Sequence, residues 1–171
     1  PFDATGLIRD LCASAAVAAR AKGVAFELKL DAPDTALRMG DPRRLASALR
    51  HLLTNAVKFT ERGRIELEAR LDAESLNLTV RDTGPGIAPD LEPALFDLFQ
   101  LGDDSLNRRH GGAGLGLPAA RRHARAMGGD VILGETSDRG SVFILTVRLG
   151  ERAVEGVGAA EVATPAPARS D

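Results

Sequence analysis

The chain has 171 residues, a formal net charge of −2, 44% apolar and 27% charged residues, and one cysteine, Cys12. That length suits one globular domain burying roughly 70% of its unfolded surface, and the near-neutral charge gives no footprint for nucleic acid or an anionic membrane. No apolar run approaches the ~20 residues needed to cross a bilayer, no signal peptide is visible, and a lone cysteine excludes a disulfide framework or cysteine metal site, so a cytoplasmic domain without direct membrane contact is expected.

In chain order, residues from Asp3 to about Arg20 place Leu7, Leu11, Ala15 and Ala18 at helical spacing, with Asp3 available as cap. After Gly23, the alternation of Val24, Phe26, Leu28 and Leu30 predicts a strand with one buried face. Asp41-Pro42 opens a second helix to about Phe59, with Leu45, Leu49, Leu52, Ala56 and Phe59 as its apolar stripe. Residues 65–71 and 76–80 alternate as two strands of a hairpin around Asp72-Ala73-Glu74. A short helical piece is expected around 91–98, then a polar flap from Gln100 to Gly112. Leu115 to Met127 reads as a third helix ended by Gly128-Gly129, and two strands near 130–135 and 141–149 close the domain. Beyond Gly150 the composition is that of a linker or disordered tail, so residues 1–150 are expected to form the domain and 151–171 the tail. The fold class that follows is α+β, a two-layer sandwich with a mostly antiparallel sheet and helices on one face.

Three clusters carry chemistry. His51, Asn55 and Lys58 share one flank of the second helix, and Phe59 borders the same edge. Together they offer an amide oxygen for magnesium, a cation for phosphate and an aromatic face for a base; the chain has no Tyr or Trp to supply that face. Such a helix is equally an ordinary amphipathic one with solvated polar residues. Asp82, at a strand end before Gly84 and Gly86, is able to accept a hydrogen bond from an exocyclic amine while the glycines let a flat base approach; the same residues also make a plain turn. Gly112, Gly114 and Gly116 lead into a helix start suited to an anion, or simply hinge the flap that carries Arg108 and Arg109. No Gly-Lys-Ser/Thr follows, so this is not a P-loop. The three clusters together supply metal, base and phosphate contacts that no single packing need explains.

The combination resembles the catalytic and ATP-binding domain of sensor histidine kinases, within the superfamily that includes gyrase-type topoisomerases and heat-shock chaperones. Residues Asn55-Ala56-Val57-Lys58-Phe59-Thr60 look like the kinase N box, Asp82 to Gly86 like the first glycine box, and Gly112 to Leu117 like the second. Leu95-Phe96-Asp97-Leu98-Phe99 resembles the phenylalanine box, and Pro1-Phe2-Asp3 the entry from dimerisation helices. The likeness spans about residues 1–150 and implies a Bergerat fold with ATP and magnesium as cofactors. It implies that Asn55 holds magnesium, Lys58, Arg108 and Arg109 contact phosphates, and Phe59 and Ile87 pack near the adenine. Asp82 would bind the adenine amine, with water held by Ser141, while Gly84, Gly86, Gly112, Gly114, Leu115 and Gly116 line the nucleotide. Residues 100–111 would form the lid over it.

Two positions depart from that pattern. His51 stands where Asn or Glu is usual, and imidazole is a poor magnesium ligand; Ala113 replaces a common Thr. By resemblance, the chain presents the ATP γ-phosphoryl group to a histidine on a separate dimerisation domain, with a response regulator or receiver domain as further partner. A receiver following the tail, as in hybrid kinases, fits the composition as well as a bare end does. The isolated domain is expected to be monomeric and the parent a homodimer. None of His51, His110 and His123 is followed by the acidic residue and downstream Pro of a phosphoacceptor helix. The alternatives are a pseudokinase-like regulatory module that binds a partner or signalling nucleotide, and an anti-sigma-type serine kinase, against which the phenylalanine box argues.

Overall fold

A computed structural model of the chain describes residues 1–97 and 116–151. The elements are β1 (Phe2–Asp3), α1 (Ala4–Ala21), β2 (Ala25–Asp31), β3 (Leu37–Met39), α2 (Pro42–Phe59), β4 (Arg64–Leu71), β5 (Ser75–Asp82), a 3-10 turn at Glu92–Ala94, α3 (Gly116–Ala126), β6 (Asp130–Ser137), β7 (Gly140–Arg148) and β8 (Gly150–Glu151).

Local chemistry sets most of these boundaries. Asp41 caps α2 by accepting the amides of Arg43 (3.0 Å) and Arg44 (3.1 Å), and Pro42 fills the first turn, where no amide partner is lost. At the start of α1 the Gly6, Ala36 and Thr5 amides hold the Asp3 carboxyl below its ordinary pKa, so Asp3 faces the first turn as a cap and also accepts the Ala36 amide, at 3.1 Å. The buried stripe of α1 is turned by about one residue from expectation. Ile8, Cys12, Ala15 and Ala19 face inward while Ala18 is exposed, because the small apolar thiol completes a spacing that Leu7 and Leu11 only flank. At the far end Gly23, with φ +74°, reverses the chain so that Val24 donates to Ala19 O. Gly128 does the same for α3.

The main sheet has the order β2-β4-β5-β7-β6. Only β2 and β4 run parallel; the other neighbours are antiparallel, including the expected hairpin of β4 and β5. Its inward pleats stack in cross-strand rows. Ala69, Leu78, Leu145 and Val131 form one, and Leu67, Val80, Phe143 and Leu133 the next. Against these rows pack Leu45, Leu49, Leu52 and Leu53 of α2, Ile8 of α1, and Ala120 and Ala124 of α3, all in one core. The result is the expected two-layer sandwich with helices on one face. A second, three-stranded sheet, β1-β3-β8, was not anticipated from the sequence: its strands are two or three residues long, too short to show alternation.

Candidate functional site

The inward rows change character at one end of the sheet. The row after Leu67 and Val80 consists of Ile65, Asp82, Ser141 and Thr136, so three polar side chains replace the apolar pattern where α2 ends. Asp82 stands on the same pleat as Leu78 and Val80, and its Oδ1 accepts the Gly84 amide at 2.9 Å. Burial pushes its carboxyl up from the ordinary range, and the amides of Gly84 and Ser141 oppose that shift without cancelling it. A carboxylate held against its desolvation cost in this way is a candidate ligand-binding group.

Thr136 reaches this row only because β6 is irregular. Between Leu133 and Glu135 the register slips, with Gly134 as the extra residue, and the slip turns Thr136 inward opposite Ser141. Its hydroxyl then accepts the Ile87 amide at 2.8 Å and lies 3.1 Å from Ser141 Oγ, which ties the glycine loop to the sheet floor. Sequence reasoning missed Thr136; a glycine inside an alternating strand was the signal for the bulge. The loop's glycines are required sterically. A Cβ on Gly84 would stand 2.9 Å from Phe59 O, and one on Gly86, at φ +73°, would run into the Ser137 carbonyl. Asp82, Gly84, Gly86, Ile87 and Ser141 thus lie together, and Gly84 joins them to Phe59 at the end of α2.

Helix α2 supplies the adjoining wall. Asn55 is half-buried, and Lys58 Nζ lies 5.4 Å from the centroid of the half-buried Phe59 ring. The end of this helix is clamped by another residue that sequence reasoning missed: Lys22, just past α1, donates to Val57 O at 2.7 Å and Lys58 O at 3.3 Å. Thr60, directly after Phe59, is fully buried, and its hydroxyl has no hydrogen-bond partner among the described residues. Gly116, the first residue of α3, sits against His51 and Asn55; a Cβ there would lie 3.5 Å from His51 Nδ1 and 3.8 Å from Asn55 Oδ1. Burial lowers the His51 pKa, and the charges of His123 and Arg50 add to the effect, which favours the neutral imidazole. The space beside Gly116, bordered by His51 Nδ1 and the Asn55 amide, fits a cation carried by a polar ligand. Among the described residues no group of three His, Cys, Asp or Glu side chains comes together.

Where the segment that precedes the described break meets α3, Arg121 lies 4.6 Å from the Phe96 ring centroid and donates from Nε to Asp130 Oδ1 at 2.8 Å. Arg125 also bonds Asp130. Burial alone would raise the Asp130 pKa; the hydrogen bonds from the two arginines and the Val131 amide hold it at about 2. Arg108, Arg109, Gly112, Gly114 and Leu115 lie outside the described residues, as do Leu98, Phe99 and the expected lid.

Residues 40–151 match the family model described as histidine kinase-, DNA gyrase B-, and HSP90-like ATPase. The chain is 38% identical over 155 residues to the sensor protein GacS of Pseudomonas syringae pv. syringae, covering 87% of this chain and 17% of that protein. It is 35% identical over 149 residues to the aerobic respiration control sensor protein ArcB of Escherichia coli K12, covering 86% of this chain and 19% of that one. It therefore spans less than a fifth of the length of these relatives. Among solved structures it resembles full-length ShkA in complex with AMPPNP, with TM-score 0.75, 33% identity, and coverage of 89% of this chain and 31% of ShkA. The nucleotide-free catalytic domain of the histidine kinase ThkA matches with TM-score 0.70 and 26% identity, covering 86% of this chain and 95% of that domain. A polar-ended sheet with a glycine loop pinned across it, read with these matches, places the chain in the histidine kinase-, DNA gyrase B- and HSP90-like ATPase family, as an ATPase domain of the sensor histidine kinase type.

Proposed function

We propose that this chain binds an ATP–magnesium complex between α2 and the polar end of the sheet, and presents the γ-phosphoryl group to a histidine on the dimerisation helices of its parent protein. The observation that carries this reading is Asp82: a desolvated carboxylate fixed by the Gly84 amide, in a polar row with Ser141 and Thr136 at the end of the sheet. Asp82 accepts from the exocyclic amine, Ser141 holds water beside it, and Ile87 and Phe59 pack on the base. Guanine, with a carbonyl at the corresponding position, is rejected because two acceptors would face each other.

Asn55 contacts the cation, and Lys58, Arg108 and Arg109 meet phosphate charge. The amides of Gly112, Gly114, Leu115 and Gly116 do the same at the start of α3. Magnesium, held by Asn55 together with the nucleotide, would supply charge neutralisation. The chain's own contribution to transfer is positioning, while the nucleophile comes from the dimerisation helices and a response regulator receives the phosphoryl group afterwards.

Calorimetric titration with ATP–magnesium tests this. Saturable binding by the wild-type chain, weakened at least tenfold by Asn55→Ala and absent with GTP, is expected. Undetectable binding, or binding unchanged by Asn55→Ala, would overturn the reading in favour of a regulatory module that does not use the nucleotide.

A further inference from the structure

We infer that His51 is a second cation contact of this site and shifts its preference from magnesium toward cations that accept nitrogen, such as manganese, cobalt(II) and nickel(II). The inference rests on the reading of Asn55 as the metal ligand and deepens it. His51 and Asn55 stand one turn apart on α2, so their side chains stack on one face. Both border the same space: His51 Nδ1 lies 3.5 Å, and the Asn55 amide oxygen and nitrogen 3.8 Å and 3.9 Å, from where a Gly116 Cβ would stand. Because residue 116 is glycine, that space beside the two donor atoms is left open at the first residue of α3. The imidazole is half-buried, and its ring nitrogen faces the space beside Gly116.

Ligand chemistry then decides the cation. Magnesium is hard, prefers oxygen and keeps its waters, so imidazole adds little to its binding. Affinity for a nitrogen-containing site rises from manganese through cobalt to nickel, and imidazole suits the later metals. Asn55 and neutral His51 bring no negative charge, and no cluster of three metal-binding side chains exists among the described residues. The cation is therefore held only together with nucleotide phosphates, and the preference appears only in the ternary complex.

The test uses the full chain and a non-hydrolysable ATP analogue titrated with magnesium, manganese or cobalt(II), in wild type and in His51→Asn. In wild type the cobalt complex is expected to bind more tightly than the magnesium complex, and His51→Asn, which exchanges the ring nitrogen for an amide oxygen, should shrink that ratio roughly tenfold. The visible absorption of cobalt in the ternary complex should carry a nitrogen-ligand signature that His51→Asn removes. Gly116→Ala gives a second route, keeping the histidine but filling the space beside it, and it too should collapse the ratio. Equal ratios in wild type and His51→Asn, with nucleotide binding intact, would overturn this inference alone. Failure to bind nucleotide with any cation would overturn the nucleotide reading as well.

Discussion

Asp82 sits in the folded chain at a thermodynamic disadvantage. Its carboxyl pKa is raised, so the stabilising, protonated state is fully present only below the ordinary carboxylate value, and stability is lost as pH rises through the folded-state value. At neutral pH the unliganded protein therefore carries a desolvated charge that a nucleotide amine would satisfy. Asp82→Asn should accordingly raise the melting temperature of the unliganded protein at pH 7, with the gain disappearing as pH approaches 4. It should also weaken ATP binding by roughly ten- to a hundredfold, the worth of a hydrogen bond to a charged group. Melting curves across pH and a nucleotide titration check the two halves; a variant that is both less stable and fully able to bind would refute the assigned role. Gly86 is fixed for a different reason. Its φ of +73° and the nearby Ser137 carbonyl leave no room for a side chain. Gly86→Ala should lower stability by at least ~1–2 kcal/mol in denaturant unfolding, since the left-handed backbone alone costs about that much.

At the scale of elements, α2 was legible because its cap, its apolar stripe and its polar flank all lie within one continuous segment. The devices that aim it were not, because they come from elsewhere in the chain. Lys22 holds the carbonyl end of α2 from the far end of α1, across 35 residues of sequence, and nothing in the local pattern around Lys22 announces it. Thr136 depends on a register slip that shifts strand parity, and simple alternation had placed no site residue on β6. Lys22→Met should destabilise the chain by about 1 kcal/mol and Lys22→Arg by less, since both a hydrogen bond to helix carbonyls and the favourable dipole contact are lost. Asp130 plays the equivalent part for α3. Its depressed pKa contributes stability that is present above the ordinary carboxylate value and is lost as pH falls toward about 2. With the side chain 37% exposed, screening reduces that contribution to on the order of 1 kcal/mol. Urea unfolding of Asp130→Asn should show that loss at pH 7 and a smaller one at pH 3.

For the whole molecule, the two-layer architecture was readable because β2, β4, β5 and β7 alternate cleanly and each helix carries a continuous apolar face. The three-stranded sheet escaped because pairing among such short segments is decided by tertiary position: Phe2 meets Arg38, and Arg38 meets Glu151, far apart in sequence. Under the proposed function, the chain holds a phosphoryl group and does not accept one. His51 is half-buried on α2 with Nδ1 toward Gly116, and His123 is half-buried on α3. His110, outside the described residues, is preceded by two arginines and followed by two glycines rather than by an acidic residue. A phosphoacceptor imidazole has to approach the γ-phosphorus in line, and a side chain fixed on the helices that form the site's wall cannot also swing to face it. Incubation with ATP labelled at the γ-position should therefore leave no acid-labile, base-stable phosphate on the isolated chain, although the same preparation binds ATP. Adding a separately produced dimerisation domain bearing an acceptor histidine should restore labelling, on that domain alone and dependent on Asn55. A stable phosphohistidine on His51 or His123 in the isolated chain would show that the wall of this site is also its substrate.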